Sequence, residues 1–350
     1  MQSTLFPGVR LPLVQAPMAG AQGAALAAAV CNAGALGSLP AAMHTPESLE
    51  RELAGLRALT PHPFNVNFFC HSPPVPDPVT EARWMETLHP HYQQWHLTVQ
   101  DMVPGPGRAP FSEAMAEVLE SFRPAVVSFH FGLPAPALLA RVKAMGSLVM
   151  SSATTVEEGL WLQNHGADIV IAQGLEAGGH RGVFLHTDLN TQRPLADLLP
   201  PLVQSLRIPV LAAGGIASDA DVAAAMAMGA AGVQVGTAYL TCHEATTSAL
   251  HRRALQATPP RTTALTNIFT GRPARGIVNH AMQSLGPMNT EAPAFPLATA
   301  AVAPLRARAE AAGSDDFSAL WAGTNMQGCL SESAADTTRR LAKGFGTIPS

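Results

Sequence analysis

The chain has 350 residues, of which 47% are hydrophobic and only 13% charged, and a formal net charge of −4 at pH 7. That length carries one large domain with an appendage, or two modest ones, and the apolar fraction suffices for a sizeable core, which excludes a disordered chain. The negative balance, with no basic run, argues against a nucleic-acid partner; no uncharged apolar run reaches the length of a membrane span, and residues 1–10 lack a signal-peptide pattern.

Strand-like runs recur along the first two thirds of the chain, most of them short, unalternating and bounded by Gly or Pro, as strands buried on both faces are. The first, at 11–15, ends in Gln15-Ala-Pro-Met-Ala-Gly20. That motif would place Met18 and small residues where a planar ring lies against backbone, although Met18 as core filler is an equal reading. The second run is 35–39. The third, 64–68, is unusual because Asn65 and Asn67 fall on one face of a buried strand. Asn67 is nearer the C-terminal end and has the better claim on a ligand carbonyl or ring nitrogen, against the alternative of an amide that satisfies a loop.

A Pro- and His-rich segment follows, about 70–110, too long for an ordinary crossover and expected to cover part of the barrel mouth. Its histidines, His71, His89, His91 and His96, lack a carboxylate partner at ligand spacing, so they read as surface residues and no metal is expected. The fourth run, 125–129, ends in Ser128-Phe-His-Phe-Gly132, which makes His130 a candidate acid–base or substrate-contacting residue; an imidazole bonded to a carbonyl is the commoner fate. The fifth is 148–151. After it, Thr155 and Glu158 form the pattern of a capping box for a helix that stops before Gly166.

The sixth run, 168–172, leads into the most informative segment, Ala172-Gln-Gly-Leu-Glu-Ala-Gly-Gly-His-Arg-Gly182. Here His180 sits among glycines at the C-terminal end of a strand, where α/β enzymes place their chemistry. Gly179 lets a ligand approach backbone, and the amide of Gln173 lies beside the loop. Glu176 is either a carboxylate base or a backbone cap. The seventh run, 209–213, ends in Gly214-Gly215 and a helix capped by Ser218; the eighth, 232–236, ends in Gly236-Thr237. The loops after strands seven and eight of a barrel commonly hold a phosphate on backbone N–H groups and a helix N-terminus. No GxGxxG and no Walker pattern is present, which disfavours a Rossmann dinucleotide site and a nucleotide hydrolase.

Eight strands alternating with helices predict an α/β chain, a (β/α)8 TIM barrel over residues 1–240. Past Tyr239 the rhythm stops, and 241–350 is expected to form a smaller, mainly helical substrate or lid domain with a C-terminal segment returning to the barrel. Cys31, Cys70, Cys242 and Cys329 are far apart without a CxxC pair and read as free thiols, consistent with a cytoplasmic protein. A barrel of this kind holds a phosphorylated small ligand or FMN, and composition does not separate the two.

The motifs QAPMAG, NVNFF, VSFHFG, IAQGLEAGGHRG, PVLAAGGI and GVQVGTAYL, in this order, resemble the nitronate monooxygenases, formerly called 2-nitropropane dioxygenases. Pro293-Ala-Phe-Pro-Leu297 and Ala319-Leu-Trp-Ala-Gly323 are similar to the class I branch. The likeness runs from about residue 11 to about 328, and AQGLEAGGHRG with its two downstream glycine loops is the specific part. It implies an FMN-binding barrel in which Met18, Asn67 and Gln173 contact the flavin. Gly179, Gly214, Gly215, Gly236 and Thr237 would surround the ribityl-phosphate tail, and His180 would be the catalytic histidine. The implied reaction is oxidation of an alkyl nitronate such as propionate 3-nitronate by O2, through a flavin semiquinone, to a carbonyl compound and nitrite, as in detoxification. Two motifs depart from the pattern: MAGAQG lacks an expected second glycine and hydroxyl, and WAGTN has Thr324 where an amide is usual. The rival readings are a flavin-dependent enoyl-thioester or NAD(P)H:quinone reductase on the same barrel, and a non-catalytic phosphate-ligand-binding barrel. Whether the chain is a monomer or a homodimer is not legible.

Overall fold

The computed structural model describes residues 5–102 and 107–346, so part of the Pro-Gly stretch near 105 lies outside it. Valine, isoleucine, leucine and alanine in short buried runs form strands β1 (Leu13–Gln15), β2 (Ser38–Pro40), β3 (Asn65–Phe69), β4 (Val126–His130), β5 (Leu148–Ala153) and β6 (Ile169–Gln173). They continue, after the two-residue β7 (Gly179–His180), with β8 (Val210–Ala213) and β9 (Gly232–Val235). Without β7, these strands pair in parallel in the order β1-β9-β8-β6-β5-β4-β3-β2. Just before β2, a parallel bridge between Val14 and Leu36 joins the two ends, with Gln15 N–H donating to Leu36 O at 2.9 Å. The sheet therefore curls into the expected eight-stranded α/β barrel, each of its strands overlapping the run anticipated for it.

Inward-facing Val14, Leu36, Val126, Met150, Ile171 and Leu211 fill the barrel interior, and Phe6 and Val9 join the same cluster. Outward-facing residues of the strands pack on the helices, as Val170 and Ala212 of the neighbouring β6 and β8 do with Leu199 and Leu202. Inside the barrel Asn65, Asn67 and Ser128 are buried together, and Asn67 is the nearer of the two amides to the C-terminal end of β3.

A separate apolar cluster joins the expected insertion to the C-terminal third. The helix Pro78–Gln94 buries Trp84, Leu88 and Tyr92 against Ile268, Phe269, Leu305 and Phe317, and the Tyr92 hydroxyl donates to Ala301 O at 2.6 Å. This region also contains strands that the sequence pattern did not reveal. β10 (Thr263–Thr266) pairs antiparallel with β11 (Ala274–Ile277), and β11 pairs with β7 through Ala274–His180 and Arg275–Gly179. Their runs are too short, and too mixed with Thr, Arg and Gly, to show a period of two.

Helix caps explain one further departure. Ser218 and Asp221 cap the helix Asp219–Ala227 reciprocally, as their spacing predicts. At the helix Val156–Asn164, Thr155 does accept from Glu158 N–H at 3.1 Å, but the reciprocal half of the expected box is missing. The Glu158 carboxylate instead accepts from Thr154 N–H and hydroxyl, both at 2.7 Å, and from Phe184 N–H at 2.7 Å. A buried carboxylate binds whichever donors are otherwise orphaned, and here it joins Thr154, just past β5, to Phe184 in the loop that follows His180. Glu158→Ala should therefore lower unfolding free energy by about 3 kcal/mol, because buried donors to a charged acceptor lose their partner. A urea midpoint shifted down at constant slope would show it, and an unchanged midpoint would contradict it.

Candidate active site

The C-terminal strand ends open into a cavity of about 550 Å³ lined by His180, His130, Met18, Asn67, Gln173 and the loop residues Gly179, Gly214, Gly215, Gly236 and Thr237; the candidate base Glu176 is not among the lining residues. His180 is central. Its backbone is held as a strand by β11, and its carbonyl accepts from Gln173 Nε2 at 2.9 Å and is 3.1 Å from His130 Nε2. Because a carbonyl only accepts, His130 Nε2 carries the proton there, and Nδ1, 3.1 Å from Ser152 Oγ, accepts from that hydroxyl. Gln173 completes the clamp by accepting from Gly182 N–H at 2.8 Å. Both residues thus hold the His180 loop from below, while still facing the cavity.

The imidazole of His180 has Nε2 2.9 Å from Thr270 Oγ1, and its Nδ1 makes no hydrogen bond among the described residues. Phe295 and Trp321 pack on the ring at centroid distances of 5.3 and 5.5 Å, and Phe69 and Phe131 stand slightly farther off. Burial pushes its pKa well below the ordinary imidazole value, and the cations Arg108 and Arg272 and the neighbouring His130 and His71 push the same way. His130 is likewise pushed down to about 4 by burial, against the opposing hydrogen bond to the His180 carbonyl. The pocket therefore presents neutral imidazoles beside positive charge at neutral pH.

His71 does not stand on the surface as expected. It is 6% exposed, edge-on to Phe295 at 4.8 Å and to Phe131 at 6.2 Å, with burial holding its pKa near 4. It follows β3 directly, so the chain carries it under the aromatic cluster before the Pro-rich segment departs; the Pro and His composition of its neighbours hid this.

Asn67 donates from Nδ2 to Ser128 Oγ at 3.0 Å, and Met18 N–H donates to Gln22 Oε1 at 2.9 Å. Gln22, the residue that departs from the familiar first motif, also donates to Ser38 O at 2.5 Å and so ties the Met18 loop to β2. Glu176 takes the capping role: its carboxylate accepts from Leu195 N–H at 2.9 Å, at the start of the helix Leu195–Ser205.

The glycine loops line the same cavity, with Gly214 and Gly215 against the segment 174–177 that leads to His180. Gly214 and Gly215 have φ of +118° and +73°, which L side chains rarely adopt. The N–H groups of Gly214, Gly215 and Gly236 have no acceptor among the described residues. The amides around the start of the following helix are less available than the sequence suggested: Asp221 accepts from Ala217 and Ser218 N–H at 2.9 Å, and Ser218 Oγ accepts from Asp221 N–H at 3.2 Å. The free donors are thus those of the loops. The segment after Trp321 closes over them. Gly323 N–H donates to Thr237 Oγ1 at 2.9 Å, Thr324 N–H to Glu176 O at 3.0 Å, and Asn325 Nδ2 to Gly215 O at 3.0 Å. An amide therefore reaches the loop from position 325 instead of 324. Gly178 allows this approach, since a Cβ there would lie 2.5 Å from the Ala322 carbonyl carbon. Arg108, Thr270, Trp321 and Asn325 were not picked from the sequence as site residues; of these only Trp321 and Asn325 sit near a legible motif.

The comparisons agree with this architecture. The family model described as nitronate monooxygenase matches residues 3–337. A nitronate monooxygenase of Paraburkholderia phytofirmans is 38% identical over 339 residues, covering 96% of this chain and 92% of the relative. A solved nitroalkane oxidase from Streptomyces ansochromogenes superposes with a TM-score of 0.88 at 38% identity, covering 98% of this chain and 99% of that one. FabK from Thermotoga maritima is similar at a TM-score of 0.72 and 26% identity, over 97% and 94% of the two chains. With its eight-stranded barrel, its histidine loop and its paired glycine turns, the chain belongs to the nitronate monooxygenase family, a family of oxidoreductases.

Proposed function

We propose that the chain is an FMN-dependent nitronate monooxygenase that oxidises alkyl nitronates of the propionate 3-nitronate type with O2, giving a carbonyl compound and nitrite. The observation that carries this reading is a neutral, cation-flanked His180 sharing one cavity with unpartnered loop amides. The residues suit FMN. The N–H groups of Gly214, Gly215 and Gly236, with the Thr237 hydroxyl, would hold the phosphate. The Gln234 Oε1, buried without a partner, lines the same cavity and would take a donor from the ligand. Met18, Asn67, Gln173 and Gly179 would border the ring system. Bound FMN supplies the electron acceptor that allows a nitronate to be oxidised and O2 reduced without a nicotinamide.

His180 hydrogen-bonds the nitro oxygens and, as a neutral base, takes the α-proton when the substrate is a neutral nitroalkane. Thr270 fixes the ring, and His130 and Gln173 fix its backbone. The aromatic wall of Phe69, Phe131, Phe295 and Trp321 keeps water from the reacting carbon. Among the described residues, those from 241 onward, together with the helix Pro78–Gln94, act as the roof of the site. The four cysteines are free, which suits a reducing cytoplasm.

Anaerobic mixing of the purified protein with propionate 3-nitronate is the test. A prompt change of the flavin visible spectrum, with nitrite released once air is admitted, is the expected result. A yellow protein that ignores the nitronate and bleaches with NADH would move it to the reductases. A colourless one that FMN does not reconstitute would leave only a phosphate-binding barrel.

A further inference from the structure

We propose that Arg108 is the specificity residue of this site and binds a carboxylate carried by the nitronate substrate. The inference rests on the reading of the cavity as a nitronate site. It comes from an inventory of the arginines around His180, nearly all of which are already engaged. Arg181 donates to Gln173 O and Gly174 O, each at 2.7 Å, and Arg275 donates to Leu175 O at 2.8 Å. Arg272 lies 3.8 Å over the Phe131 ring and donates to Val183 O. Arg306 lines the cavity but is paired with Glu310 at 2.9 Å.

Arg108 differs. It lines the same cavity and is partly buried, yet its only side-chain acceptor among the described residues is the neutral Thr299 hydroxyl at 3.4 Å. No carboxylate of the described residues pairs with it, and Thr299 and Arg306 line the cavity beside it. A desolvated guanidinium without a counter-charge is costly unless a ligand supplies one. Its planar fork suits a carboxylate in bidentate contact. Arg108 and His180 line the same cavity, and Arg108 is the charge that most disfavours protonation of that ring. A substrate bearing a nitronate at one end and a carboxylate a few bonds away would place one anion at His180 and the other at Arg108. The Thr299 hydroxyl donates to Phe269 O at 3.1 Å, so it steadies the Arg108 fork as an acceptor and leaves the charge for the ligand.

The test compares propionate 3-nitronate with ethyl nitronate, which lacks the carboxylate, in the flavin-loaded wild type, Arg108→Gln and Arg108→Lys. The ratio of kcat/KM for the carboxylated over the plain nitronate should fall about 10- to 100-fold in Arg108→Gln, the worth of a charge-assisted hydrogen bond. The loss should lie in KM, and Arg108→Lys should recover part of it. A ratio unchanged in Arg108→Gln would overturn the assignment, whatever happens to each rate. Calorimetric binding of 3-nitropropionate against 1-nitropropane supplies a readout without turnover. Preference for the acid, lost in Arg108→Gln, would uphold the subsite even if the wild type oxidised neither nitronate, an outcome that would instead remove the proposed reaction. Equal binding of the two by wild type would overturn it.

Discussion

His180→Asn is expected to lower kcat/KM about 10²- to 10⁴-fold, the range for loss of a positioned acid–base group. The protein should stay folded and yellow. Asparagine keeps a hydrogen-bonding end near the nitro oxygens but cannot take a proton, so neutral nitroalkanes should lose more than nitronates. The wild-type pH profile is the companion measurement. Burial, Arg108 and Arg272 hold His180 well below the ordinary imidazole value, so it is deprotonated throughout pH 6.5–8. The sign follows: activity that needs the neutral ring is present above that depressed pKa and is lost only as pH falls through it. A profile on nitroalkane that breaks near pH 6.5, or a His180→Asn enzyme with wild-type turnover, would remove this residue from its role.

Gly215→Val should purify as a folded, colourless protein. The position has φ of +73°, and a β-branched residue there is strained by about 1–3 kcal/mol. The obstacle is the backbone more than the space, because a Cβ would meet Glu176 side-chain carbons only at 3.4 and 3.6 Å. The loop would relax toward negative φ and turn its N–H, together with that of Gly214, away from the cavity. Flavin content per chain from the 450 nm region, before and after added FMN, is the measurement. A variant that comes off the column fully yellow would refute the phosphate-loop assignment. Far-UV circular dichroism matching wild type guards against simple misfolding.

The barrel was legible because its strands are buried on both faces, which turns each into a short apolar run between Gly and Pro. The glycine loops were legible for a related reason: strained φ and close backbone approach can be met by little else, as at Gly178 and Gly214. What stayed hidden depends on contacts made far along the chain. Thr270 reaches His180 from 90 residues away, and nothing in its neighbourhood marks it as a partner. Nor does the composition around His71 show that three phenylalanines will enclose it. Glu158 was recognised as a cap residue, yet its carboxylate serves a loop that only the fold brings within reach. Local strain leaves a mark in sequence, whereas long-range satisfaction of a polar atom does not.

The closing of the glycine loops by residues 323–325 has a consequence for biosynthesis. Asn325 grips Gly215 across 110 positions, and Arg340 reaches Ala217 O at 2.9 Å across 123. Contacts of such sequence separation form late, after the entropy of ordering the intervening chain has been met. A nascent barrel that has emerged from the ribosome only as far as β9 already has the turns but not the strap that braces them. Cofactor capture would then be an almost terminal event of synthesis, and a polypeptide interrupted before residue 323 would leave the ribosome with its barrel drawn but its ligand unheld.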